Sequence, residues 1–437
     1  MSLELDTMES RSRALLATAD TYLPGACLGQ NALPAELAFV VERGEGARLI
    51  DVRGRTYLDY VLGSGPLLLG HAHPALVRAV QEQVARGSTY FWLSEPSIRL
   101  AEAVVGAVPC AEQVRFVSTG TEATMLACRM ARTFTRREKI MKFEGGWHGL
   151  HDYALVGNWR VPSEAPYPHP GPDVGGIPRG ALESVLVAPF NDLETTERIA
   201  SRHADDLAGI IVEPLQRAVR PLPGFLAGLR DLTRRLGAVL IFDEVVTGFR
   251  LAYGGAQEHY GVLPDLAVYG KALTGGFALA AIAGRGPVMA TADPVRKGGL
   301  DYAALSGTLS GNALACAAGL AALAELRRPG VYARLHAIGE RLRAGLVGRA
   351  ARVGIALQVI GDGPIAQPFF VGPDVPLTSE RALRQADGRK AARFALECIR
   401  RGVFTLPGTK LYLSLAHSDA DIDWTLDVME DALRAVA

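Results

Sequence analysis

Short apolar runs recur along the middle of the chain, separated by stretches of helical spacing. VRFVS (114–118) leads into TEATMLACRMARTF, whose apolar positions return every three or four residues. KIMKF (139–143), SVLVAPF (184–190), AGIIVEP (208–214), AVLIFDE (238–244) and LAVYGK (266–271) follow. Runs of this length, bounded by turn signals, predict buried strands. Ahead of AVLIFDE, the residues Phe225, Leu226, Leu229, Leu232 and Leu236 share one helical face, and Gly237 is placed to end that helix. Strands alternating with helices predict an α/β chain with a mostly parallel sheet covered on both faces.

From about residue 320 the pattern changes. CAAGLAALAELRRPGVYARLHAIGERLRAGL reads as helix, IALQVIG and KLYLSLA as shorter strands, and a last amphipathic helix follows. ARLIDVRGRTYLDYV (47–61) reads as a hairpin turning at Arg53-Gly54-Arg55. The expected organisation is an N-terminal segment (1–60) that joins the smaller domain, a large domain (61–320) and a smaller α+β domain (321–437). One irregular segment, 157–180, holds six prolines and five glycines. A loop this long in a compact enzyme is usually a lid or a binding loop, the alternative being a plain surface excursion.

Composition narrows the function. At 437 residues and 49% hydrophobic content, the chain can build a large core and a second domain. Lys+Arg and Asp+Glu are both 46, so no net charge draws the chain to nucleic acid or an acidic membrane. The five cysteines are scattered without a CxxC pair, which argues against a disulfide framework or structural zinc and fits a reducing compartment. The N-terminus lacks the apolar core of a signal peptide, and no stretch approaches the ~18 apolar residues of a membrane span. A cytoplasmic location is the expectation. Only six of the 46 basic residues are lysine (139, 142, 271, 297, 390, 410), so a lysine in an apolar setting stands out.

Three features call for one explanation. STGTEA (118–123) follows a strand and opens a helix, leaving backbone N–H groups free for a phosphate. Asp243 ends a buried strand, where a carboxylate is costly unless paired. Lys271 ends the next one, and Ser118 and Glu213 fall at strand ends of the same sheet, where ligands of such sheets bind. Together they suit pyridoxal phosphate. Its phosphate would sit on Gly120 and Thr121, its aldehyde needs a lysine such as Lys271, and its protonated ring nitrogen needs a carboxylate such as Asp243. A dinucleotide site is disfavoured because GSGPLLLG (63–70) has the wrong spacing, and no Walker motif is present. His71-x-His73 and His148-x-x-His151 lack a third ligand at a telling spacing, so core or capping histidines are expected there rather than a metal.

With those residues in place, the chain resembles the class III pyridoxal-phosphate aminotransferases, and most of all their glutamate-1-semialdehyde aminomutase branch. LGHAHP (69–74), SxGTEATM (118–125), KFEGGWHG (142–149), IVEP (211–214), IFDEVVTGFR (241–250), AYGGAQ (252–257), GTLSGN (307–312) and LAHSDADID (415–423) occur in family order. The resemblance implies a fold type I α/β enzyme, a homodimer with active sites at the subunit interface. It makes Lys271 the Schiff-base lysine and Asp243 the partner of the ring nitrogen. It sets Thr119, Gly120 and Thr121 at the cofactor phosphate, Trp147 on one ring face and Val245 on the other. His148 and Glu213 would lie beside the cofactor, and Thr308 would reach the phosphate of the neighbouring subunit's cofactor.

The departures concern substrate-facing positions. LPGACLGQNALPAE (23–36) lacks the arginine that aminomutase-like relatives carry there, and TLPGTK (405–410) lacks their glutamate. GSGP (63–66) replaces SWGP, and GGFALA (275–280) follows the lysine where a glycine-rich turn and proline are usual. Tyr90, Phe91 and Trp92 stand where the family places pocket residues, favouring an apolar or aromatic substrate, with dimer packing the alternative. Arg160, Arg217 and Lys410 are candidate carboxylate partners. The expected activity is amino-group transfer between an amino acid or amine and a keto acid, aldehyde or ketone. The alternative is intramolecular transfer by a glutamate-1-semialdehyde 2,1-aminomutase, with a racemase or decarboxylase third.

Overall fold

A computed structural model describes residues 2–159, 165–168 and 171–437, with the side chains of residues 2–6 left aside. After an N-terminal helix, Ser2–Tyr22, come strands β1 (Val41–Glu45), β2 (Arg48–Asp51) and β3 (Thr56–Asp59). The β2–β3 pair is antiparallel and is the hairpin expected from the pattern at 47–61. The central strands are β4 (Gln113–Val117), β5 (Lys139–Phe143), β6 (Val185–Ala188), β7 (Leu207–Val212), β8 (Val239–Asp243), β9 (Leu266–Tyr269) and β10 (Ala280–Gly284). Later strands are β11 (Gln358–Ile360), β12 (Ile365–Phe369), β13 (Val403–Phe404) and β14 (Leu411–Tyr412).

The central sheet has the order β4-β10-β9-β8-β7-β5-β6. Strands β6, β5, β7, β8 and β9 are parallel neighbours. Strand β10 runs antiparallel to both β9 and β4, so β4 points the same way as the parallel set. All six therefore end at one edge of the sheet, where α/β folds hold ligands. Every residue of β7, β8 and β9 is buried, which is why these strands read as unbroken apolar runs.

Alternate side chains serve two layers. Val239, Ile241, Ile211 and Val268 pack with Ala123, Leu126, Ala127 and Met130 of the Gly120–Thr135 helix. Leu240, Phe242, Ile210 and Val212 pack with Phe225, Leu226, Leu229 and Leu232 of the Phe225–Leu236 helix, which ends at Gly237 with φ 64°. The AAIAG strand β10 carries little β propensity, and the sequence pattern alone does not mark it. Its small residues are fully buried between β4 and β9, and tertiary packing decides its conformation.

The run 316–346 is two helices, Ala313–Leu326 and Val331–Arg352, broken at Pro329-Gly330, where Gly330 takes φ 84°. Strand β13 pairs in parallel with β3, giving a sheet β1-β2-β3-β13, and β11-β12-β14 forms a third. The backbone of Tyr412 donates to Tyr60 (2.8 Å) and that of Leu415 to Leu68 (2.9 Å). These bonds bring the 410–415 segment against the 60–68 loop, beside the carboxyl edge of the central sheet. Among the described residues, no helix is long and apolar enough to cross a membrane.

Candidate active site

At the end of β8, Asp243 is 5% exposed. One of its oxygens, Oδ2, faces His148 Nδ1 at 2.8 Å, and Oδ1 accepts from the Val245 amide at 3.1 Å. Burial pushes the carboxyl up to about 7, opposed by the Val245 amide and then by Lys271 and Lys410. Burial, followed by Lys142, pushes His148 down to about 3, so its ring is neutral at pH 7. The segment bearing His148 is pinned to the Gly120–Thr135 helix. Thr124 Oγ1 donates to the His148 carbonyl (2.6 Å), and the Leu150 amide donates to Thr121 Oγ1 (3.3 Å). Gly149, at φ 97°, permits that approach, since a Cβ there would lie 2.5 Å from Thr121 Oγ1.

Thr119 caps the same helix, its hydroxyl accepting from the Glu122 amide at 3.1 Å. The Ala123 amide donates to the Thr119 carbonyl, and the amides of Gly120 and Thr121 have no acceptor among the described residues. A Cβ on Gly120 would stand 3.1 Å from the Val245 methyl groups, so glycine keeps open the space between the helix start and Val245. Glu213, just beyond β7, is buried, and its carboxylate accepts from the backbone of Trp147 (2.7 Å) and Arg217 (3.4 Å). Trp147 is half-buried and stacks on Trp159, with centroids 5.7 Å apart and planes 19° from parallel.

Lys271 lies two residues past β9 in the left-handed region, at φ 46°. A lysine seldom adopts that conformation, and such strain gathers at functional sites. Its Nζ donates to the Ser64 carbonyl at 2.9 Å. Burial, with Arg250 and Arg217 nearby, lowers its amine to about 8 against the pull of Asp243 and Glu213. Two further cations stand close. Arg250 is fully buried, donates to the carbonyls of Val246 (2.8 Å) and Gly65, and has Nη1 without a partner among the described residues. Burial lowers Arg250 to about 10. Lys410 is 4% exposed with Nζ likewise unpartnered, 5.8 Å from the centroid of the Tyr412 ring. Arg250 approaches the same ring at 5.2 Å.

A lysine, a buried carboxylate and an open helix start at one sheet edge define a pyridoxal-phosphate enzyme of fold type I. The donor set suits that cofactor. The Gly120 and Thr121 amides are available for a phosphate, the Gly120–Val245 gap would be filled by a Cβ, and Asp243 is a carboxyl that burial leaves in need of a cation. The chain belongs to the class III aminotransferases, whose family model, Aminotransferase class-III, matches residues 31–433. It is 42% identical to a glutamate-1-semialdehyde 2,1-aminomutase of Desulforudis audaxviator over 97% of this chain and 98% of that one. An omega-transaminase from Sphaerobacter thermophilus superposes with a TM-score of 0.91 at 35% identity, covering 97% of both chains. A transaminase solved with PLP bound gives a TM-score of 0.87 at 29% identity, covering 98% of both.

Of the residues singled out in the sequence, Thr119, Gly120, Thr121, Trp147, His148, Glu213, Asp243, Val245 and Lys271 gather at this edge. Thr308 lies exposed on the turn at 307–312, where a Cβ on the neighbouring Gly307 would stand 3.5 Å from Glu122 Oε1 in the first turn of the Gly120–Thr135 helix. Tyr90, Phe91 and Trp92 are 47%, 68% and 83% exposed in the single chain. Arg160 lies outside the described residues. His73 caps the Pro74–Val84 helix, and His71 Nε2 bonds Asp59 at 2.8 Å. The sequence reading passed over Arg250, Tyr412 and the Ser64 carbonyl. Arg250 had a signal, since it stands within the IFDEVVTGFR motif; Tyr412 comes to the site only where the 410–415 segment bonds to the 60–68 loop, and the Ser64 carbonyl through its bond with Lys271.

Proposed function

We propose that this enzyme transfers amino groups between separate molecules, from an amino acid or amine to a keto acid, aldehyde or ketone. The observation that carries the reading is the segment between Tyr22 and Phe39, which contains no arginine to fork a substrate carboxylate. It consists of short turns, Pro24–Ala26 and Ala35–Leu37, and only Leu37 among residues 23–38 is buried. An aminomutase must retain its intermediate while nitrogen moves between neighbouring carbons, and a firm carboxylate anchor serves that purpose. The similarity to an omega-transaminase at a TM-score of 0.91 supports the same reading.

Pyridoxal phosphate, when bound, supplies an aldehyde that captures amines and a ring that accepts electrons from the carbon bearing nitrogen. Lys271 is the amine that would hold it. Lys271 Nζ would also be the base that takes the proton from the substrate carbon, and its lowered proton affinity suits that work near neutral pH. Asp243 holds the ring nitrogen's proton, with His148 orienting the carboxylate. Gly120 and Thr121 bind the phosphate. Trp147 and Val245 confine the ring, and Glu213 fixes the Trp147 backbone. The enzyme is a homodimer in which Thr308 and the exposed aromatic run at 90–92 of one subunit complete the site of the other, and that run favours an apolar or aromatic substrate. All five cysteines are free and four are buried, in keeping with a reducing cytoplasm.

A second reading, intramolecular transfer on glutamate-1-semialdehyde, is favoured by the 42% identity to an aminomutase. A side-by-side assay separates them. Glutamate-1-semialdehyde is supplied alone, and amino donors are supplied separately with keto acids. Exchange with donors and slow turnover of the semialdehyde is the expected result. Efficient formation of 5-aminolevulinate with negligible exchange for every donor overturns it.

A further inference from the structure

Four cations gather around Glu213 and the Tyr412 ring: Lys271, Arg217, Arg250 and Lys410. Among the described residues, none of them is within ion-pair distance of a carboxylate, whereas the buried carboxylates Asp51, Asp265 and Glu144 elsewhere each hold an arginine. Glu213 spends both oxygens on backbone amides, and Asp243 faces His148 and Val245. On the functional reading above, Lys271 would be taken up by the cofactor, and Gly120 and Thr121 would hold its phosphate. Arg217, Arg250 and Lys410 then remain opposite one carboxylate. Buried charge in such excess is strongly unfavourable until an anion joins it.

The three remaining cations are not equivalent. Arg250 is fastened to two carbonyls, and Arg217 is partly exposed. Lys410 alone combines near-complete burial with an ammonium whose donors all lack partners among the described residues. It is held in place from both sides. The Tyr412 backbone two residues on is bonded to Tyr60, and the Tyr412 ring packs against Gly65, where a Cβ would come within 2.9 Å of it. Gly65 adjoins Ser64, whose carbonyl accepts a hydrogen bond from Lys271 Nζ, so Lys410 and Lys271 border the same loop.

We infer that Lys410 is a specificity-determining residue that pairs with the substrate's carboxylate, making amino acids and keto acids, rather than simple amines and ketones, the preferred substrates. A carboxylate matches a compact ammonium in charge and supplies acceptors for its three donors. It also restores the charge balance that the protein leaves open. The pairing raises the proton affinity of an amine that burial, and then Arg217, holds well below its ordinary range, with Lys271 and Arg250 adding to the effect and Glu213 opposing it.

The test uses the cofactor-loaded enzyme and two unreactive probes, 3-phenylpropanoate and its neutral amide, with binding measured calorimetrically at one ionic strength. Lys410→Met keeps the length and removes the charge. The wild type is expected to prefer the acid. Lys410→Met is expected to weaken the acid about 30-fold or more and leave the amide unchanged, and Lys410→Arg to retain most of the acid affinity. In turnover, KM for a carboxylate-bearing donor should rise by a similar factor, with KM for 1-phenylethylamine unmoved. Equal binding of acid and amide by the wild type, an unchanged acid affinity in Lys410→Met, or parallel loss of both probes overturns the proposal. So does loss of the yellow, borohydride-sensitive absorption in Lys410→Met alone, which makes Lys410 a cofactor ligand. A wild type without that absorption refutes the Lys271 assignment instead. If Lys410→Met does not fold, Lys410→Gln carries the same comparison.

Discussion

Replacing Asp243 with Asn tests the electrostatic centre of the site at almost constant shape. Two effects can be separated on the structure. The first is local. Oδ1 and Oδ2 face different partners, the Val245 amide and His148 Nδ1. A carboxamide has one oxygen, so one of those contacts sets its NH₂ group against a donor or forces the histidine into its other tautomer. Leaving one buried group unsatisfied costs about 1–3 kcal/mol of folding stability. The second effect is catalytic. A full negative charge about 4 Å from a ring cation contributes about 4 kcal/mol at an effective dielectric of about 20. Part of that acts before the barrier, and the part that grows as electrons enter the ring governs the rate. A loss of about 2.7–4 kcal/mol at the barrier slows proton removal from the substrate carbon by about 10²–10³. The assay is a single half-reaction in deuterated water, following exchange at that carbon and the cofactor absorbance together. Exchange in Asp243→Asn at the wild-type rate, with the cofactor fully bound, would refute the assignment of Asp243 to the ring nitrogen.

Lys271→Ala should abolish transamination and leave the melting temperature of the cofactor-free protein nearly unchanged, because the side chain makes one hydrogen bond, to Ser64; retained turnover in steady-state assays would sink its role. Gly120→Ala brings a Cβ to 3.1 Å from Val245, and an adjustment costing about 1–2 kcal/mol should weaken cofactor binding roughly tenfold. Its melting temperature without cofactor should fall little, since alanine favours a helix by about 1 kcal/mol. The stability of the cofactor-free protein should also carry the signature of Asp243, whose proton affinity rises from 3.8 to about 7. Below the lower value both folded and unfolded chains hold the proton. Between the two values the unfolded chain has released it and the folded chain has not, so each rise in pH lowers stability until the full cost is reached above about 7. The melting temperature of Asp243→Asn relative to wild type should therefore climb between pH 5 and 7, and a flat difference contradicts the burial argument.

Much of this architecture was legible in the pattern of residues. Strands β7 to β9 announce themselves because burial on both faces removes polar alternation, and the Phe225–Leu236 helix because one face is apolar and a glycine ends it. The gathering of Gly120, Asp243 and Lys271 was legible for a related reason. Parallel strands bring their carboxyl ends to one edge, so residues far apart in sequence acquire a common address. Strand β10 was not legible, since alanine and glycine carry no periodic signal and its neighbours alone make it a strand. The cationic pair Lys410 and Arg250 was out of reach as a pair. It depends on the 410–415 segment returning to the 60–68 loop, a contact across some 350 residues that no local rule contains. The aromatics at 90–92 were expected at the pocket, and one chain on its own leaves them exposed.

The place of β4 in the sheet has a consequence for how the protein comes into being. Its sheet partner is β10, and it is the edge strand from which the cofactor-facing helix springs. During synthesis, residues 113–135 emerge long before residues 280–284. Until that late strand leaves the ribosome, β4 has unpaired edges on both sides, and the helix that begins at Gly120 rests on its packing against β7, β8 and β9. Strand β4 thus gains its sheet partner after residue 284 of 437 has been made, by insertion of an alanine-rich strand between two waiting neighbours. Ribosome-bound chains halted before residue 280 should keep strand 113–117 open to protease, and chains extended well past 284 should protect it.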